Sequence, residues 1–309
     1  MSIKLLILVI LATAAGEGIM AQSGKPQKTN KKTEARKPAS GKGFEKTLLW
    51  EISGHGLKQP SYLFGTMHIL CPEDAKISDG LQAAINSSEQ IVFEIDMDDM
   101  QQMMNSVRFL RMTDGKKVSD LLTTEEYDRV KKFFAENKTK LPLTMLNRFK
   151  PYLISGMISE AMMGCEKTNG MEQQIMGAAR DKEILGLETI EFQGSIFDSI
   201  PYEKQAKDLV QYVDSIDQYK KVTQQMVDVY REQDLNKMLK LVVESDPSME
   251  QYMDLMLYGR NRKWITKMQS MMYDKSTLFA VGAGHLPGDQ GVIELLRKAG
   301  YSVKPLVNK

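Results

Sequence analysis

Tyr62-Leu-Phe-Gly-Thr-Met-His68 and, more than two hundred residues later, Leu278-Phe-Ala-Val-Gly-Ala-Gly-His285 spell nearly the same thing, an apolar strand-like run that ends in GxxH. The chain has only three histidines, His55, His68 and His285, so two of the three occupy equivalent places in a repeated strand-to-turn element. The likeness extends past the histidines. Each GxxH continues with an apolar residue, a proline and an aspartate: Ile69, Pro72 and Asp74 in the first copy, Leu286, Pro287 and Asp289 in the second. The spacing of Leu81 and Ile85 predicts a helix from Ser78 to Ser88, and that of Val292, Leu295 and Leu296 predicts one from Gly291 to Ala299. A further strand comes after each helix, from Gln90 to Asp96 and from Tyr301 to Pro305. Two βαβ-like units result. The right-handed crossover rule then puts each GxxH at the carboxyl end of its first strand, the edge where open α/β sheets bind ligands.

Outward from these units, Thr47 to Ser53, the turn-rich Gly54 to Pro60 and the run to Gly65 read as a hairpin. From Met97 to about Asp274 the pattern is helical, except for the short strand-like run from Glu183 to Glu188. Thr123-Thr-Glu-Glu suits a capping box, Pro151 a first helical turn and Gly164 a helix stop. Other helices are expected from Gly170 to Arg180, Tyr202 to Arg231, Leu235 to Glu244 and Met249 to Tyr273. The expected fold class is therefore α/β (α+β), a mixed central sheet from N- and C-terminal βαβ-like units with a large helical insertion over about 97–275. Twenty-two methionines, some clustered as at Met103-Met104, Met162-Met163 and Met271-Met272, are expected mainly to pack the core, with an adaptable groove as the alternative.

Lys4, the apolar run Leu5 to Ala15 and the Ala21-Gln22 junction read as a signal peptide over 1–21, too short to span a bilayer. Residues 22–46 form a basic linker with almost no large apolar groups, and the folded body is expected over 47–309. The first 46 residues carry a net charge of +6 and the whole chain only +1, which leaves −5 on the body. Such a body does not suggest nucleic acid, while the linker could touch an anionic envelope surface. A secreted or periplasmic location is expected. An even pair of cysteines in an exported chain favours a disulfide, Cys71 to Cys165, that would clamp the loop carrying His68 to the helical insert.

An imidazole just past a strand and a glycine is held by a rigid element yet free to point outward. Two of them on neighbouring strands can converge on one divalent cation. The third ligand should be a carboxylate. Glu94 ends the apolar run Ile91-Val-Phe-Glu, where an acid is costly unless paired or metal-bound, and Asp96 is the alternative two residues on. His55, in a glycine-flanked turn, is expected to be structural.

Together Tyr62 to His68, Phe93-Glu94, Gly186-Leu-Glu-Thr189, Arg260-Asn261 with Trp264, and Val281 to Gly288 followed by Leu295 to Tyr301 resemble the TraB/GumN family, to which Tiki-type proteases are related. The resemblance implies a metal-dependent peptidase using Mn or Co, with His68, Glu94 and His285 as its metal ligands. Where the family usually has Gly-hydrophobic-Asp, this chain has Gly170-Met-Glu172, a ligand or a helix-start cap. Glu188 would serve as a base or as an acceptor behind the ligands, and Arg260 would hold a substrate carboxylate or oxyanion. The expected function is an exported, peptidase-like metallohydrolase acting on a peptide or small molecule, with Mn, Co or Zn bound and Glu188 or Glu172 as general base. The alternative is a non-catalytic envelope protein that binds a metal or haem through the same histidines.

Overall fold

Six apolar segments pair into one mixed sheet: β1 (Leu49–Ser53), β2 (Ser61–Thr66), β3 (Gln90–Ile95), β4 (Glu183–Glu188), β5 (Thr277–Gly282) and β6 (Ser302–Pro305). They belong to a computed structural model that describes residues 43–99, 106–137, 139, 141–179, 181–245 and 251–309. The expected signal peptide over 1–21, nearly all of the basic linker and the Met103-Met104 cluster lie outside the described residues.

The strand order is β4-β3-β5-β2-β1-β6. The two GxxH strands are adjacent and parallel, with Gly65 opposite Val281 and Thr66 opposite Gly282. The hairpin of β1 and β2 is antiparallel, as its turn requires, and the turn uses left-handed backbone at Gly54, His55 and Gly56. The expected βαβ-like units are present but interleaved, and neither pairs its own two strands. β5 inserts between β2 and β3, while β6 passes β2 to pair with β1. The sheet also recruits β4 from the middle of the helical insertion, parallel to β3 at the edge. β3 and β5 are buried along their whole length, which is why both read as apolar runs, with Glu94 the one charged interruption.

The labelled helices are α1 (Asp79–Ser87), α2 (Thr124–Glu136), α3 (Pro151–Ala161), α4 (Met171–Ala178), α5 (Ile190–Asp198), α6 (Tyr202–Asp214), α7 (Ile216–Arg231), α8 (Leu235–Ser245), α9 (Gly259–Asp274) and α10 (Val292–Lys298). Ser78 caps α1, the Thr123 and Glu126 pair closes a reciprocal cap on α2, and Pro151 occupies the first turn of α3. The single helix expected from Tyr202 to Arg231 is two, because Ser215 leaves helical geometry between α6 and α7. Ahead of α9 the chain makes a wide π-type turn over Asp254–Tyr258.

One apolar core covers both faces of the sheet and includes Leu63 and Phe279 on one face, Phe93 on the other, and Trp264 and Met268 of α9 and Val227 of α7. A second core lies within the helices, where Val130 and Phe134 of α2 meet Ile154 of α3 and Leu209 of α6. Met268 and Met272 are buried in the sheet core, so these methionines pack rather than line a groove.

Candidate functional site

Four parallel strands end on one edge of the sheet, and each delivers a polar residue there. Glu188 ends β4, Glu94 is next to last in β3, β5 runs into the tight turn Ala283–His285, and β2 leads through Met67 to His68. The first turns of three helices face the same edge, bringing Glu172 on α4, Gln193 on α5, and Arg260 and Asn261 on α9.

The loop after β2 is tied to the segment before α4. Leu70 and Asn169 exchange backbone hydrogen bonds of 3.0 and 2.9 Å, and Met171 N–H donates to Met67 O at 3.1 Å. The expected disulfide between Cys71 and Cys165 joins the same two segments, with the Cα atoms 5.9 Å apart. Gly170 permits this closeness, since a Cβ there would stand 2.6 Å from His68 O. Glu172 Oε1 consequently lies 2.7 Å from His68 Nδ1. The approach is that of an ion pair rather than an aligned hydrogen bond, so Oε1 is buried without a regular hydrogen-bond partner. Burial alone would lower the His68 pKa, but the charges of Glu172 and Glu94 outweigh it and push it up to about 9. Burial raises Glu172, and the His68 charge together with the Thr66 hydroxyl more than reverses this, leaving its carboxyl below the usual range.

Glu94 is buried at the centre. Its Oε1 accepts from Gly282 N–H at 2.8 Å, and its Oε2 accepts from Arg260 Nη2 at 2.6 Å and Gln193 Nε2 at 3.2 Å. Burial resists its charge, but Arg260 and then the histidines hold it well below the usual carboxylate range.

Arg260 is 1% exposed and fully engaged by the protein. Its Nε donates to Glu188 at 3.0 Å, its Nη2 to Glu188 at 2.7 Å as well as to Glu94, and its Nη1 to Met256 O at 3.0 Å. Nη1 also stands 3.2 Å from His285 Nε2. Every N–H of the guanidinium thus faces a protein acceptor, and Glu94 and Glu188 keep it charged against the cost of burial.

His285 is 2% exposed and lies against Trp264, ring centroids 4.4 Å apart. Its Nδ1 is 2.6 Å from Asn261 Oδ1, and its Nε2 is 3.7 Å from Glu94 Oε1. Burial is the main force on its pKa; although Glu94 opposes it, Arg260 and His68 add to it, and the value falls to about 3. His285 is therefore neutral near pH 7, while His68 is protonated.

The absence of a side chain at Gly282 leaves a hollow no larger than a methyl group among these groups. A Cβ built on Gly282 would stand 3.1 Å from Glu94 Oε1, 3.6 Å from His285 Cδ2 and 3.7 Å from His68 Nε2. Glu94 Oε1 and His68 Nε2 face this point while His285 presents Cδ2 to it; two imidazoles and a carboxylate are residue types that suit a divalent cation, although His285 Nε2 is turned toward Arg260 at 3.2 Å. Among the described residues, no three His, Cys, Asp or Glu side chains are already closed to metal-holding geometry. Instead they gather around the Arg260 guanidinium, which bridges Glu94 and His285. Asp96, the alternative carboxylate, lies just past β3 and accepts its own turn's Asp98 N–H at 3.2 Å. His55 stays in its turn, its ring 4.8 Å from that of Tyr301.

Three residues at the edge carried no assigned role in the sequence. Gln193 bridges Glu94 and Glu188 at 3.2 and 3.3 Å, Asn261 holds His285, and the Tyr230 hydroxyl donates to Gly65 O at 2.9 Å beside Glu172. Asn261 follows Arg260 directly, which was a usable signal; Gln193 and Tyr230 have no sequence neighbour that marks them.

The model of the TraB/PrgY/gumN family matches residues 48–305. Curated relatives include Metalloprotease TIKI2 of Danio rerio, 23% identical over 92% of this chain, and a Metalloprotease TIKI homolog of Amphimedon queenslandica, 22% identical over 86%. Metalloprotease TIKI1 of Danio rerio is 22% identical over 84%. The matches cover 65%, 63% and 63% of those proteins, so this chain spans less than two thirds of their length. No solved structure matches.

Proposed function

The chain belongs to the TraB/PrgY/gumN family, and from that membership and the geometry of the sheet edge we propose that it is an exported, metal-dependent hydrolase of peptidase type. The observation that carries the reading is the convergence of Glu94 Oε1, the His285 ring and His68 Nε2 on the hollow beside Gly282. These three residues would hold the ion. When bound, a divalent cation such as Mn, Co or Zn supplies Lewis acidity toward a carbonyl and toward water.

The chain's own residues do the rest. Glu172 and Asn261 set the two rings through their Nδ1 atoms, and Gly282 N–H together with Arg260 fixes the Glu94 carboxylate. Both expected bases are engaged, Glu172 Oε1 by His68 Nδ1 at 2.7 Å and Glu188 by Arg260 and Gln193, so either would have to release its partner to take a proton from water. With its N–H groups committed, Arg260 contributes by keeping Glu94 and Glu188 ionised rather than by reaching a substrate oxyanion. Export is supported by the apolar run Leu5 to Ala15 and by a disulfide, which persists in oxidising compartments. Names of distant relatives support the peptidase class, whereas the substrate of this chain is a separate matter. A haem-binding role has less support, because His285 Nε2 is buried against Arg260 and Glu94; a small ion would need only Arg260 to shift, whereas a porphyrin would need room for its whole ring.

The test is cleavage of a mixed peptide library by protein loaded with Mn, Co or Zn, with new termini read by mass spectrometry. Cleavage that disappears with a chelator and in His285→Ala is expected. No cleavage with any of the three ions, or cleavage that survives His285→Ala, would contradict the reading.

A further inference from the structure

The Asn261 amide has only one orientation that satisfies its surroundings. Its Nδ2 donates to Gln290 O at 2.8 Å and to His285 O at 3.3 Å, so both amide protons are committed to carbonyl oxygens. The amide oxygen is left facing His285 Nδ1 at 2.6 Å, and an oxygen can only accept there. A flipped amide would point its protons at the ring and its oxygen at two carbonyls. Turning the imidazole over would put Cδ2 in place of Nδ1 against the Asn261 oxygen and forfeit that hydrogen bond.

We propose that Asn261 is a positioning residue which fixes His285 as its Nδ1–H tautomer and thereby keeps Nε2 free of a proton, as an acceptor facing Arg260 Nη1 at 3.2 Å at the margin of the hollow beside Gly282. On the other side of that hollow His68 is oriented by Glu172 through Nδ1, so the two GxxH histidines are set from behind by different means, one by a carboxylate and one by a neutral amide. The difference has a chemical consequence. A carboxylate behind an imidazole makes it a more basic ligand and draws a proton onto it, whereas an amide fixes the tautomer without adding charge. With Nδ1 carrying the proton, Nε2 can accept only, as its place 3.2 Å from Arg260 Nη1 requires. Selection of Nε2 rests on the cation reading above; selection of the tautomer does not.

The experiment uses the full-length protein with ring-15N-labelled histidine. Spectra of the metal-free protein show which nitrogen of His285 carries the proton, and cobalt titration then gives affinity. Wild type should show a protonated Nδ1 and a bare Nε2. Asn261→Ala should lose that preference and bind cobalt at least about 10-fold more weakly, the scale expected for loss of a partner behind a ligand. Asn261→Asp keeps the acceptor but loses both donations to the carbonyls; it should keep Nδ1 protonated and, at a pH where its ring resonances show Nε2 unprotonated, recover affinity to within a few-fold of wild type. An Nε2–H tautomer in wild type or in Asn261→Asp would overturn the proposal, as would an unchanged tautomer and affinity in a folded Asn261→Ala. If wild type binds no cobalt at all, the cation reading fails while the ring resonances still decide the tautomer.

Discussion

The two GxxH histidines are the same residue type in opposite electrostatic states. Linkage sets the sign of each effect. The folded pKa of His68, about 9, lies above its free value, so its stabilisation is complete below pH 6.5 and is lost as pH rises from 6.5 through 9. That loss is on the order of 3 kcal/mol at most. The folded pKa of His285, about 3, lies below its free value, so its contribution is present above pH 6.5 and is lost as pH falls from 6.5 toward 3. The metal-free protein should therefore melt highest near pH 6.5, and His68→Gln should flatten the decline between 6.5 and 9; an unchanged alkaline slope in that variant would show that His68 does not hold its proton. Because a ligand imidazole must be neutral, cation binding below pH 9 should also release a proton. Gly282 gives a second test. Its φ of −50° and ψ of 131° suit alanine, but the methyl would crowd Glu94 Oε1 at 3.1 Å, so Gly282→Ala should destabilise by about 1–3 kcal/mol and abolish metal uptake. Calorimetry and metal analysis of that variant would check both halves. The histidines and Glu94 were legible in the sequence because a repeated motif in a histidine-poor chain and an acid in an apolar strand both stand out. Gln193 and Tyr230 were not, because on a helix a glutamine or a tyrosine looks the same whether it faces solvent or a glutamate on a strand a hundred residues away.

Among the elements, the loop after β2 and the segment before α4 act as one clamp. The Cys71–Cys165 bridge closes 94 residues and sits beside the Leu70 and Asn169 pairing, so it holds the His68 loop against Glu172. Cys71→Ser with Cys165→Ser should cost about 2–5 kcal/mol. The melting temperature should fall by roughly 5–15 °C, measured by calorimetry without reductant. A drop under about 1 kcal/mol would mean that the backbone pairing alone suffices. The caps at Ser78 and Thr123 and the proline at 151 were readable because capping chemistry is local. The break at Ser215 was not: both sides of it carry helical periodicity, and it is tertiary packing that keeps α6 and the start of α7 in the helical core and carries the end of α7 to the sheet core.

For the whole molecule, the sequence revealed the strands and the edge that matters but not their order. Periodicity identifies a strand without naming its neighbour, so the insertion of β5 between β2 and β3, and the pairing of β6 with β1, became visible only in the assembled sheet. That interleaving matters functionally, since it makes β2 and β5 neighbours and sets both GxxH turns beside Glu94. The most direct test of this arrangement is the metal content of the full-length protein after loading separately with Mn, Co and Zn and removal of free ion, compared with a folded His68→Ala, His285→Ala double variant. The account predicts about one ion per chain in wild type with at least one of the three metals and almost none in the double variant. Wild type that retains no ion, or a double variant that retains it in full, would contradict it.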